Sequence, residues 1–230
     1  MRFLYLLINA CTVIVPLIFS FHPRLKFHKH FKAFLAAAFL SATVFIAWDV
    51  YFTKLGVWGF NEDYITRLYL FNLPFEEVLF FFCIPFACVF TYHCLNQFFN
   101  IIWKPLVENV FVLTISSVLL VTGLYFHNRL YTASAFISLA ILLLLLKYGI
   151  RVTWLPKLLT IYPVLLIPFL IVNGILTGTG IQQPVVWYNN ADNLGVRVFT
   201  IPVEDFFYGF ELILLNVFLY EYFKIRFREK

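Results

Sequence analysis

The sequence predicts an all-α polytopic membrane protein: a bundle of about seven transmembrane helices, built as two parallel three-helix repeats plus a linker helix. Three observations carry that expectation. The 230-residue chain is 62% hydrophobic and 13% charged, with a mean hydropathy of +0.87, whereas a soluble domain is about half apolar and a quarter charged. Its apolar residues fall into seven runs, each long enough to cross about 30 Å of hydrocarbon. One short pattern, a proline followed two residues later by paired acids, occurs twice.

The runs cover roughly 3–21, 33–53, 75–95, 108–126, 130–149, 157–178 and 201–222. Lipid offers the backbone no hydrogen-bond partners, so each run is expected to be a helix. The first lacks a small-residue cleavage site before the basic loop and reads as a retained span rather than a signal peptide. The four cysteines (11, 83, 88 and 94) lie in or beside apolar runs without a CxxC pair, and are expected as buried small hydrophobes.

Basic residues set the expected orientation. Twelve of the seventeen fall on one side of a seven-span chain: Arg24, Lys26, Lys29 and Lys32; Lys104; Lys147, Arg151 and Lys157; and the tail Lys224, Arg226, Arg228 and Lys230. Arg2, Lys54, Arg67, Arg129 and Arg197 fall on the other. The richer side is expected in the cytoplasm. The N-terminus then lies outside and the C-terminus inside a bacterial cell (inner) membrane, with the long connections 54–74 and 179–200 outside. The net charge of +5 reads as orientation signal, not as nucleic-acid binding.

The two long connections resemble each other. The first reads GVWGFNEDYITRLYLFNLPFEEVLFF and the second PVVWYNNADNLGVRVFTIPVEDFFYGF. Trp58 aligns with Trp187, Asn61 with Asn189 or Asn190, and Pro74-Phe-Glu-Glu with Pro202-Val-Glu-Asp. The Trp-to-Pro separation is 16 residues in one and 15 in the other. Asp49 and Asn173 precede the two loops near the ends of their helices. The expected organisation is therefore a first repeat over 1–100, a linker span over 101–129 and a second repeat over 130–230. One odd connecting helix inserts the second copy in the same sense as the first, so the repeats are parallel and both acidic motifs reach the same side.

Pro74 and Pro202 are expected in a first helical turn, where a missing N–H costs nothing. Glu76, Glu77, Glu204 and Asp205 follow them. Acids there also complement the helix dipole and cap free N–H groups. Recurrence, pairing, and the approach of Asp49 and Asn173 to the same level favour a site, because a carboxylate within a span is costly. Carboxylates close together in a low-dielectric pocket cannot all ionise, so at least one keeps its proton. A neutral acid beside an ionised base suits general acid–base chemistry.

Other chemistries lack their residues. The five histidines (22, 28, 30, 93 and 127) show no metal-ligand spacing, and neither a glycine-rich dinucleotide fingerprint nor a nucleophile elbow occurs. What remains is proton transfer on an apolar substrate, without redox. Aromatic residues make up 21% of the chain. Most serve packing and interfacial belts. Trp58, Tyr64, Trp187 and Tyr188 lie in the loops beside the acids, where ring faces stabilise a developing carbocation by about 0.5–2 kcal/mol each. A proton donor facing an aromatic-lined apolar pocket is what polyene cyclisation requires.

The doubled Pro-x-Glu-(Glu/Asp) motif, the aromatic-Asn loop before it and the three-helix halves resemble the lycopene cyclases of the heterodimeric class, here as a fused single chain. The resemblance implies a redox-neutral isomerisation in carotenoid biosynthesis. An acid protonates the terminal double bond of the ψ end group of lycopene, the neighbouring double bond closes a six-membered ring, and a base removes a ring proton, the choice of proton deciding between a β and an ε ring; the expected products carry β-ionone rings. It implies no cofactor and no metal. The partners it implies are the polyene and the lipid bilayer, with a homo-oligomer or other carotenoid-pathway enzymes beyond them.

Roles follow as expectations. Glu76, Glu77, Glu204 and Asp205 form the acid/base pairs, with Glu76 or Glu204 the preferred proton handler. Asp49, Trp58, Asn61, Asn173, Trp187, Asn190 and Tyr208 orient acids or substrate. Glu211, two turns beyond Glu204 on the same face, extends a proton relay or pairs with His93 or a backbone group.

Rival readings are a transporter or proton-coupled channel, a prenyltransferase and a retinal-type receptor. The second lacks an Asp-rich diphosphate motif, and the third lacks a lysine within 201–222. Expression in lycopene-accumulating cells discriminates all of them from a cyclase.

Overall fold

The computed structural model describes residues 2–227. Arg228 and Lys230, counted above in the basic tail, lie outside the described residues. The described chain forms seven α-helices and three two-stranded antiparallel ribbons. In order these are α1 (Leu4–Ser20), α2 (Phe31–Leu55), β1 (Trp58–Phe60), β2 (Tyr69–Leu70), β3 (Leu73–Pro74), α3 (Phe75–Phe98), α4 (Pro105–Tyr125), α5 (Leu130–Leu144), α6 (Leu155–Leu176), β4 (Val186–Tyr188), β5 (Arg197–Val198), β6 (Ile201–Pro202) and α7 (Val203–Arg226).

Helices α2 to α7, with α5 extended by a π turn over Leu145–Ile150, are long and apolar enough to cross a membrane. α1, at 17 residues, is shorter, at the low end of the spanning range. Large apolar side chains such as Ile18, Phe39 and Val121 stay exposed on the outside of the bundle, together an extensive apolar surface of the kind that faces a membrane. The chain is an integral membrane protein. The cysteines depart from expectation: Cys11 is exposed and Cys83, Cys88 and Cys94 are half-buried. On a lipid-facing surface a small apolar group needs no burial in protein, and Cys88 instead lines a cavity inside the bundle.

Local chemistry sets the helix ends. Gly56 takes a left-handed conformation (φ 76°) just after α2, which lets the Val57 N–H return to the Phe52 carbonyl at 3.1 Å. Pro74 and Pro202 stand one position earlier than expected, as N-caps with extended backbone rather than inside the first turn. Both also close hairpins, Pro74 opposite Tyr69 and Pro202 opposite Arg197.

The same backbone recurs 128 residues later. Phe71 and Phe199, at the two hairpin tips, share the left-handed value φ 57°. The Asn61 N–H donates to the Val185 carbonyl, and the Asn189 N–H donates to the Val57 carbonyl, each at 2.8 Å. β1 and β4 pair with Gly59 opposite Trp187, flanked by Trp58–Tyr188 and Phe60–Val186. That register has local two-fold symmetry about the Gly59–Trp187 pair and joins the two halves. It also corrects the sequence alignment by one residue. Trp187 corresponds to Gly59, not Trp58, and Asn61 corresponds to Asn189, not Asn190. The unequal Trp-to-Pro spacing arose from that slip.

α1 packs on α3, α5 on α7, α4 on α5, and α2 along α7. α4 thus leans on the second half from outside, leaving the other six helices to surround the centre.

Candidate active site

Each acidic pair divides its work between two directions. Glu76 and Glu204 are fully buried and turn back towards the loops that precede them. The Thr66 N–H donates to Glu76 Oε1 at 2.6 Å, and the Leu194 N–H donates to Glu204 Oε1 at 2.7 Å, ten residues upstream in both halves. Thr132 Oγ1 adds a 2.6 Å bond to the same Glu204 oxygen. Asn9 Nδ2 holds the Glu76 carbonyl at 2.8 Å. These contacts tie each loop to its helix start.

Glu77 and Asp205 turn the other way, into one cavity of about 130 Å³ between the halves. Tyr5 of α1 donates to Glu77 Oε2 at 2.6 Å. Tyr131, the corresponding residue of α5, donates to Asp205 Oδ1 at 2.7 Å. Asp205 also accepts at Oδ2 from Tyr188 of β4, at 3.0 Å. Burial, and then the Asp205 charge, hold the Tyr188 phenol well above its usual range, so it remains a donor. Among the described residues nothing donates to Glu77 Oε1.

Asp49 reaches the same cavity from the end of α2, with the Trp58 indole N–H bonded to Oδ1. Its Oδ2 is buried without a partner among the described residues. Asn173 enters from the end of α6. The Val57 N–H returns to the Phe52 carbonyl and the Val185 N–H to the Leu176 carbonyl. Asp49 and Asn173 lie three residues before those acceptors, so they occupy corresponding places, as their pairing in sequence expected.

Aromatic rings line this end. Trp58 lies 5.1 Å from Tyr131, 6.2 Å from Tyr188 and 6.2 Å from Tyr208, while Tyr131 and Tyr188 stack at 5.9 Å. Tyr208 borders the cavity, and its hydroxyl is buried without a partner among the described residues. The arrangement provides carboxyl groups for proton transfer, ring faces for a cation and a largely apolar lining.

A sequence model for the family described as Lycopene cyclase matches residues 2–95 and again 128–223. The chain belongs to the lycopene cyclase family. No curated protein and no solved structure matches it. The double match falls on the two halves and leaves out the span that connects them, α4. Membership makes this protein a carotenoid cyclase whose substrate is an apolar carotenoid.

The cavity of this cyclase gathers Glu77, Asp205, Asp49, Asn173, Trp58 and Tyr208. Other expected site residues lie elsewhere. Glu76 and Glu204 bond the preceding loops through Oε1 and do not line the cavity, while their Oε2 atoms are buried without a partner among the described residues. Asn61 caps the turn at Asp63 and bonds Gln183 at 3.1 Å. Asn190 is exposed and accepts from Arg197 at 2.9 Å. Trp187 is 45% exposed and covers Gly59, where a Cβ would lie 2.4 Å from its ring. Glu211 is buried but faces α5, accepting from Ser138 Oγ at 2.8 Å. It meets neither His93 nor the cavity. His93 bonds Tyr220 and the Leu25 carbonyl instead.

The sequence pattern does not single out the phenols of Tyr5 and Tyr131 as site residues. One signal was present: each stands near the start of the first helix of its half. A lone tyrosine there looks like an interfacial residue, and only the parallel packing of α1 on α3 and of α5 on α7 brings it to an acid.

Proposed function

We propose that this cyclase closes ψ ends of lycopene into β-ionone rings, with Glu77 as the proton donor and Asp205 as the base. The supporting observation is the unequal hydrogen bonding of two equivalent acids at one cavity. A carboxylate is an acceptor only, and Asp205 accepts a phenol at each oxygen, which stabilises its ionised form. Glu77 leaves Oε1 without a donor among the described residues, so that oxygen can carry a proton towards substrate. The proton adds to the terminal double bond, leaving a tertiary cation. The neighbouring double bond attacks, closing the ring and moving the charge onto the ring. Asp205 removes an adjacent ring proton. One proton enters and one leaves, so no oxidant or reductant takes part.

Trp58, Tyr131, Tyr188 and Tyr208 present ring faces to the migrating charge, and Asp49, held by Trp58, adds a further carboxyl group beside it. Glu76 and Glu204 position the loops that bear Trp58 and Tyr188. The excess of basic residues at the opposite helix ends supports an outward-facing acid cluster, with the C-terminus in the cytoplasm.

Expression in lycopene-accumulating cells tests the reading. Chromatography is expected to show cyclic product carrying β rings for the wild type. Lycopene left unchanged by well-expressed protein would overturn it, and ε rings would overturn the ring assignment.

A further inference from the structure

The repeat predicts two equal helix contacts, α2 with α7 and α6 with α3, and the structure has only one of them close. α2 lies along α7, whereas α6 stands off α3 and the cavity extends between them. The sequence explains the difference. α2 presents Ala37, Ala38, Ser41 and Ala42, all buried, to its neighbours, and Asn216 of α7 donates to Ser41 Oγ at 2.8 Å. Small residues permit close helix approach. Counted back from the corresponding Phe52 and Leu176, the same positions in α6 are Ile161, Tyr162, Leu165 and Leu166. Their bulk keeps the helix away.

The groove so opened is continuous with the acid cluster. Ile84, Ala87, Cys88 and Thr91 recur along one face of α3, and all four stay half-buried. Leu165, Phe169 and Val172 face them from α6, with Phe169 resting on Gly209 of α7. From Glu77 to Thr91 the groove runs about 21 Å along the helix at 1.5 Å per residue. All the acids that border it, Asp49, Glu77 and Asp205, lie at one end.

We propose that the groove between α3 and α6 seats the body of the polyene, with one end group at Glu77 and the conjugated chain lying along the bundle towards Thr91. The assignment rests on the cyclase reading and adds to it where the non-reacting part of the substrate binds. In length and polarity the slot matches a straight, apolar, conjugated chain and leads to the acids; at about 130 Å³ it takes the whole chain only once α6 moves outward. The groove also gives a membrane-dissolved molecule a lateral way in that avoids water.

The test is a length series on the wild-type protein in phosphatidylcholine vesicles. Acyclic polyenes share one ψ end group and are shortened from the other end, with KM expressed as mole fraction in the membrane. KM is expected to rise tenfold or more once the chain no longer reaches Cys88, about 16 Å from Glu77 along α3. A KM independent of length would overturn the groove while leaving the cyclase intact, whereas no cyclisation of any member would overturn the cyclase reading itself.

A companion variant, Cys88→Trp, is expected to lose full-length turnover tenfold or more and to keep turnover of the shortest chain. Ile167→Trp, on the exposed face of α6, is expected to change neither. Unimpaired full-length turnover by Cys88→Trp would also overturn the groove. If that variant does not fold, the wild-type series decides alone.

Discussion

Glu77 and Asp205 enter one cavity from corresponding helix starts, yet Glu77 is held by Tyr5 at a single oxygen while Asp205 is held at both, by Tyr131 and Tyr188. The chain duplicated a motif and then gave its two copies different surroundings. That difference permits an acid and a base in one site. Glu77→Gln and Asp205→Asn keep shape and remove proton transfer, so each is expected to lower ring formation by about 10²-fold or more at unchanged protein level. Chromatography of extracted carotenoids reads the outcome, and full cyclisation by both variants would refute the pair.

The phenols are expected to matter less than the acids they hold. Tyr131→Phe and Tyr188→Phe each remove one bond to an ionised Asp205, worth about 1.5–3 kcal/mol. Each should lower kcat about tenfold or more, with the double variant lower than either single one. Tyr5→Phe acts on Glu77 in the same way. Steady-state kcat and KM, measured separately, tell this from a defect in substrate binding.

Glu76 and Glu204 supply a contrast. Both carboxyl groups accept loop N–H bonds outside the cavity. Glu76→Gln and Glu204→Gln keep an acceptor oxygen for the loop N–H and replace the second carboxyl oxygen by an amide group, at about 1 kcal/mol each. Thermal unfolding in detergent should report that loss, while cyclisation stays within about fivefold of wild type. A hundredfold loss of turnover with unchanged melting would return these residues to the chemistry.

The α2–α7 contact can be challenged by giving α2 the residue that α6 carries. Ser41→Leu reproduces Leu165 in the close interface and removes the acceptor of Asn216. Overpacking of this kind costs about 1–3 kcal/mol. The variant should melt lower than wild type, whereas Ser41→Ala should change melting much less.

Much of the fold is legible in the sequence. Seven apolar runs became seven helices because lipid forces backbone groups to pair within a segment. Asp49 and Asn173 were matched correctly, since both sit a fixed distance before a helix end. Trp187 was matched wrongly by one residue. A tryptophan in each loop drew the alignment, while the β1–β4 register aligns backbone positions and puts Gly59 opposite Trp187.

Composition, apolar run length and a recurring motif are local properties of the chain, so the membrane class, the repeat and the acids are legible in it directly. Which acid of each pair faces the cavity, which tyrosines hold it, and why α6 stands away from α3 while its counterpart α2 lies along α7 follow from packing between helices distant in the chain. Adjacent residues in a first helical turn point about 100° apart. Which of them meets a phenol, a loop amide or a hollow therefore depends on the helices packed around that turn.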